Sequence, residues 1–197
     1  MEKSDNLTIL ILAAGSSKRL GEPKQLIRVK DKSLLEKAIE NALKLTSSIV
    51  VVLGYKSEEI RKEIKDLPVS IIVNSNYKEG MGSSISYAMK NIPLTENVLL
   101  MLCDQPLIPN SHYEKLIEKS VINKSKIVCS KYYNRFAVPS IFPKKYFKHL
   151  IELNADYGAR KFLENNPVEF VELDNKLALD IDTLEDKEFY LNKIIWK

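Results

Sequence analysis

Apolar residues in this chain fall in short runs, and the runs alternate with stretches that are apolar along only one helical face. The first run, Ile9 to Leu12, ends in Ala13-Ala14-Gly15 and reads as a strand buried on both faces. Further runs follow at Ser48–Leu53, closed by Gly54, at Val69–Val73, at Val98–Cys103 and at Lys126–Ser130. The fourth run is the most apolar, which predicts a central strand. Val138–Phe142 reads as an extended segment that Pro139 places at an edge or a bend. Between the runs, Ser33 and Glu36 form a capping-box pattern ahead of Leu34, Leu35, Ala38, Ile39, Ala42 and Leu43 at helical spacing. Helices are also predicted from Ser57 to Lys65 with a Ser-x-x-Glu-like start, from a Ser83 or Ser84 cap through Met89, and from Asn110 or Ser111 to about Val121. Two more are predicted near Gly158 and from Thr183 onward, the last with Phe189, Tyr190 and Trp196. Leu177–Thr183 alternates, which predicts a strand carrying Asp180 and Asp182 on one face and Leu179 and Ile181 on the other. Strand–helix alternation of this kind predicts an α/β fold: a Rossmann-like three-layer sandwich with a mostly parallel central sheet, built as one domain over 1–197.

Composition narrows the class. A chain of 197 residues with 45% hydrophobic and 28% charged residues has ample material for a core. A net charge of +4 is mild and dispersed; it suits an anionic small molecule and argues against a nucleic-acid partner. No stretch is long enough to cross a bilayer, and Met1–Asp5 lacks the apolar region of a signal peptide, so the expected place is the cytoplasm with no membrane partner. Cys103 and Cys129 lack metal or redox spacing and suit a reducing compartment. His112 has no second histidine at ligand spacing, which excludes a zinc site there.

Candidate chemistry lies at three places. After the first strand, Gly15 and Gly21 bracket Ser16, Ser17, Lys18 and Arg19, with Lys24 just beyond. Gly15 is expected to let the backbone leave the strand at unusual angles and to admit a ligand closely. Open N–H groups beside two cations suit a polyphosphate. It is not a P-loop, because Glu22-Pro23 follows Gly21, and G-x-G-x-x-G is absent. The bland alternative is a basic surface turn. Asp104, with Gln105-Pro106, follows the most apolar run, where open α/β sheets bind ligands and where a carboxylate can hold Mg²⁺ with phosphate oxygens. Asp180 and Asp182, sharing a face, repel unless a cation or donor lies between them. No Ser-His or Cys-His pair stands out for nucleophilic chemistry.

The string Leu12-A-A-G-S-S-K-R-L-G-E-P-K-Q-Leu26 resembles the L-A-A-G-x-S-x-R-M-G-x-x-K signature of nucleotidyltransferases that act on molybdenum cofactor. Leu20 stands for the usual Met, and Ala14 matches the cytidylyl-transferring branch. Asn74-S-N-Y-K-E-G-M-G-S-Ser84, Asp104-Gln-Pro106, Leu153-N-A-D-Y-G-A-Arg160 and Asp180-I-D-T-L-E-Asp186 match further segments in order, with Tyr77, Val138, Ala155 and Leu184 as departures. The resemblance implies a nucleotide-diphospho-sugar-transferase-like fold and transfer of CMP from CTP to the terminal phosphate of molybdopterin. Ala13, Ala14, Gly15, Ser16, Ser17, Gly80, Ser83 and Ser84 would meet the nucleotide, and Asp156 and Arg160 the acceptor. Lys24 would steady the α-phosphate and Arg19 the β- and γ-phosphates, while Asp104 and Asp182, with Asp180 beside them, would place Mg²⁺. A molybdoenzyme or its chaperone is the implied protein partner. Sugar- or polyol-phosphate acceptors and a non-catalytic cofactor carrier are the alternatives.

Overall fold

The structure is a computed structural model that describes residues 4, 6–153 and 159–195. Nine strands occur among the described residues: β1 (Leu7–Ala13), β2 (Arg28–Val29), β3 (Lys32–Ser33), β4 (Ile49–Leu53), β5 (Ser70–Val73), β6 (Asn97–Leu102), β7 (Ile127–Tyr132), β8 (Arg135–Pro143) and β9 (Val168–Glu172). The helices are α1 (Leu34–Leu43), α2 (Ser57–Ile64), α3 (Met81–Met89), α4 (Asn110–Ile122), α5 (Phe147–Ile151), α6 (Ala159–Glu164) and α7 (Leu184–Ile195). Seven strands make one sheet in the order β5-β4-β1-β6-β8-β7-β9, and β2 pairs with β3 as a separate ribbon. The pairs of β1 with β4 and β6, β4 with β5, and β7 with β9 are parallel; β8 runs antiparallel to β6 and β7.

The apolar runs are two-sided because each strand feeds two cores. Leu7, Ile9, Ile11 and Ala13 join the core under α1, α2 and α4, whereas Leu10 and Leu12 join the core under α3, α5 and α6. That alternation makes β1 wholly buried and gives the three layers. A third cluster, Leu20, Ile27, Val29, Leu34, Ile181 and Tyr190, packs α7 onto the segment that follows β1. The sheet therefore fixes one end of that segment and α7 fixes the other.

The structure departs from the sequence pattern in several places. β8 lies inside the sheet rather than at an edge, and Val138-Pro139, joined by a cis peptide bond, fall where the β7–β8 register shifts. A bulge lets a residue without an N–H sit inside a ladder. β9, Val168-Glu-Phe-Val-Glu172, is not among the strands the pattern predicts, because Phe170-Val171 break its apolar-polar alternation. Leu177–Thr183 is not a strand: residues 175–177 form a 3₁₀ turn, and the chain then crosses the carboxyl edge with Ile181 N–H donating to the Asp104 carbonyl at 3.0 Å. Helix α2 is preceded by Lys56 in the left-handed conformation, φ 49°, and Ser57 does not cap it. Nor do Ser83 and Ser84 cap α3. It starts two residues earlier, after Gly80, whose φ of 106° is open to glycine.

Candidate active site

The turn after β1 lies at the carboxyl edge of the sheet, beside the ends of β4 and β6. Its left-handed residues are Ser17, φ 50°, and Gly21, φ 81°; Gly15 needs no such angle, which corrects the expectation for it. What Gly15 supplies is room, because a Cβ there would meet nothing within 4 Å. The turn is tied by Leu20 N–H and Gly21 N–H donating to the Ser17 carbonyl, and by Lys24 N–H donating to Ser17 Oγ at 3.1 Å. Ala14, Gly15, Ser16, Lys18 and Lys24 face Leu12, Leu102, Asp104, Tyr77, Gly80 and Ser84 across a cleft of about 340 Å³. Ala13 itself is buried at the end of β1. Ser84 and Ser83 both accept from Asn74 Nδ2, at 3.1 and 3.2 Å, and Ser83 Oγ lies 2.9 Å from the Gly80 carbonyl. Those bonds shape the far wall of the cleft.

Asp104 is two residues beyond β6 and 8% exposed. Lys24 Nζ donates to Asp104 Oδ2 and, at 2.8 Å, to Asp182 Oδ1, while Arg19 Nη2 donates to Asp182 Oδ2 at 2.9 Å. Burial works against the charge of Lys24, but Asp104 and Asp182 more than offset it and raise its pKa. Burial also opposes the charge of Asp182; the bond and charge of Lys24, then Arg19, hold it below the usual carboxylate range. Asp180 turns elsewhere. Gln105 Nε2 donates to Asp180 Oδ1 at 2.8 Å and to Tyr132 Oη at 3.3 Å, and Tyr132 donates to the Val138 carbonyl at 3.1 Å. Burial, then the charge of Asp104, pushes Asp180 up to about 6. Asp180 and Asp182 are thus separated by partner, not ranged on one strand face. Gln105 is a site residue that the sequence marked only as part of Asp-Gln-Pro.

A divalent cation fits this donor set. Among the described residues, Asp104 Oδ1 is buried with no partner, and the Asp182 carboxylate is paired only with cations. Magnesium needs one or two carboxylates, with phosphate oxygens and water for the rest. No cage of three or more His, Cys, Asp or Glu side chains occurs among the described residues.

Asp156 lies outside the described residues, as does the side chain of Arg160. His112 is buried, and its Nε2 lies 2.8 Å from Ser130 Oγ. This is a Ser-His pair the sequence did not show. It is not a nucleophile pair: Ser130 is fully buried, and its Oγ donates to the Pro139 carbonyl at 2.9 Å, so it accepts from His112. Cys103 and Cys129 are free and buried and serve as small apolar fillers. No helix among the described residues is long and apolar enough to cross a membrane.

A seven-stranded mixed sheet with a cationic turn and an acid cluster at its carboxyl edge defines the nucleotidyltransferase class. The chain belongs to the MobA-like NTP transferase domain family, whose model matches residues 9–171. Among curated relatives, the bifunctional protein GlmU of Legionella pneumophila is 36% identical over 118 residues, and the chain spans only 25% of that protein's length. Nicotine blue oxidoreductase of Paenarthrobacter nicotinovorans is 28% identical over 91% of this chain and 93% of its own. Molybdenum cofactor cytidylyltransferase of Escherichia coli K12 is 30% identical over 54% of this chain and 56% of its own. Among solved structures, Rv0371c from Mycobacterium tuberculosis H37Rv superposes with a TM-score of 0.83 at 26% identity over 95% of this chain and 98% of that one. Its complex with manganese gives 0.80 at 25% identity over 95% and 98%.

Proposed function

We propose that the chain is a Mg²⁺-dependent cytidylyltransferase that moves CMP from CTP to the terminal phosphate of a molybdopterin-type acceptor and releases pyrophosphate. The observation that carries this reading is one ammonium, Lys24 Nζ, between Asp104 and Asp182, beside a cleft that Lys24 and Asp104 line together with Ala14, Gly15 and Ser16 of the loop. An acceptor phosphate oxygen attacks the α-phosphorus, the bond to the β-phosphate oxygen breaks, and pyrophosphate leaves with the electron pair. The nucleophile belongs to the substrate, so the protein supplies alignment and charge. Asp104 and Asp182 would hold the metal, which when bound neutralises phosphate charge; Asp180 would be their neighbour. Lys24 would turn from the acids to the α-phosphate. Arg19 and the amides of Gly15, Ser16 and Ser17 would take the β- and γ-phosphates. Ser84, Gly80 and Tyr77 would border the nucleoside. The likeness to a structure described as a manganese complex supports a divalent ion, and the E. coli relative supports CTP and the acceptor.

The test is pyrophosphate release with CTP, GTP, ATP and UTP, each with Mg²⁺ and with molybdopterin or a sugar or polyol phosphate. Release is expected with CTP and molybdopterin, and Asp104→Ala should lower it by about a hundredfold or more while the chain still folds. Near-normal turnover of that variant refutes the metal assignment. Release only with another acceptor moves the chain to a sugar- or polyol-phosphate branch. Binding of molybdopterin without nucleotide uptake in a thermal-shift assay makes it a carrier.

A further inference from the structure

We infer that Gln25 is a positioning residue: its side-chain amide holds the turn after β1 in the form that presents N–H groups to the cleft. This rests on reading the cleft as a polyphosphate site.

A loop that offers N–H groups to an anion must turn its carbonyls the other way, and each carbonyl turned inward needs a donor. Three successive carbonyls meet that condition here. Gln25 Nε2 donates to the Ala13 carbonyl at 2.7 Å and to the Gly15 carbonyl at 3.0 Å. Between them, the Ala14 carbonyl accepts from Tyr55 N–H at 3.1 Å. No described group accepts from the N–H of Gly15, Ser16 or Ser17. All three carbonyls are thus engaged by protein, while Gly15 and Ser16 line the cleft with their N–H groups unengaged among the described residues, and a Cβ at Gly15 would meet nothing within 4 Å.

The choice of glutamine is itself informative. Gln25 is 0% exposed, and its Oε1 has no partner among the described residues. Methionine or leucine would fill the volume without burying an unpaired acceptor. The two amide hydrogens are what an apolar residue cannot supply. Gln25 also shares a three-residue 3₁₀ turn, Lys24–Leu26, with the cation of the site. Lys24 reaches across the cleft to Asp104 and Asp182 while its neighbour grips the loop from behind. The ammonium and the amide cradle are therefore set by one short turn.

Gln25→Met keeps the length and apolar volume of the side chain and deletes both donors. Its affinity for inorganic tripolyphosphate and for CTP, measured calorimetrically with Mg²⁺, should fall about ten- to thirtyfold. Affinity for CMP should change less than threefold, because the Gly15–Ser17 amides serve the outer phosphates. Gln25→His, which keeps one ring N–H, should recover part of the loss, and it carries the test if the methionine variant does not fold. Unchanged tripolyphosphate affinity in a folded variant overturns the inference, as does equal weakening of CMP, CTP and tripolyphosphate. A wild-type chain that binds neither CTP nor tripolyphosphate removes the polyphosphate reading and this inference together. Wild-type binding with no difference in the variants removes this inference alone.

Discussion

Lys24 and Arg19 both touch Asp182, yet their surroundings give the two contacts different weights. The side chains of Lys24 and Asp104 are 15% and 12% exposed, whereas Arg19 is 71% exposed and Asp182 36%. A pair in the first setting is costly to break because the surviving carboxylate stays buried; in the second, water screens it. Lys24→Met is therefore expected to lower unfolding free energy by roughly 3–5 kcal/mol in urea titrations. Arg19→Ala should cost less than about 1 kcal/mol. Both should depress pyrophosphate release, so stability and activity separate the two cations. At this scale the sequence supplies the cations and the acids by residue type. It could not say that they would pair in this way, because spacing along a chain carries no information about what lies opposite.

At the scale of elements, most of what the sequence showed was local. Ser33 and Glu36 make both bonds of the capping box, Glu36 N–H to Ser33 Oγ at 3.2 Å and Ser33 N–H to the Glu36 carboxylate at 2.7 Å. Ser33→Ala should cost about 1 kcal/mol by thermal unfolding. The failures were local rules overridden by packing. Asp180-Ile-Asp182 alternates like a strand, but β6, whose end it meets at Asp104, is already paired on both sides by β1 and β8, so no ladder is open to it there. The segment crosses the edge instead, and α7 begins where Thr183 Oγ1 accepts from Asp186 N–H at 3.2 Å and Asp186 Oδ2 accepts from Thr183 N–H at 2.8 Å. Gly54, after β4, shows the reverse case, a neutral-looking residue that packing makes necessary. A Cβ there would lie 2.6 Å from Tyr77 Cβ and 2.8 Å from the Ala14 carbonyl. Gly54→Ala should cost about 1–3 kcal/mol and loosen CTP binding, because the loop and the Tyr77 wall are both displaced.

For the whole molecule, two buried groups give opposite pH dependence. Burial and then Asp104 raise Asp180 from 3.8 to about 6, so between those values the folded chain holds a proton that the unfolded chain has released. Stability from this group falls as pH rises through that window. Burial and then Lys115 lower His112 from 6.5 to about 4, so there the unfolded chain binds the extra proton and stability falls as pH drops. The two slopes oppose each other. Urea unfolding between pH 4 and 6.5 should show Asp180→Asn losing stability in acid more steeply than wild type, and His112→Gln less steeply. Parallel profiles for all three would show that neither group titrates as placed.

The sequence alone determined that β1, β4 and β6 are strands buried on both faces, and that a cationic glycine-serine turn and Asp104 follow strand ends. Those are consequences of near-neighbour pattern: side-chain period, backbone freedom and burial. Tertiary structure decided that Lys24 would meet Asp104 80 residues away and Asp182 158 residues away, that Asp180 would go to Gln105, and that Gln25 would face the loop rather than the solvent. Such meetings depend on sheet order and on how α7 returns across the edge. Packing of the whole chain selects both, and no short stretch encodes them.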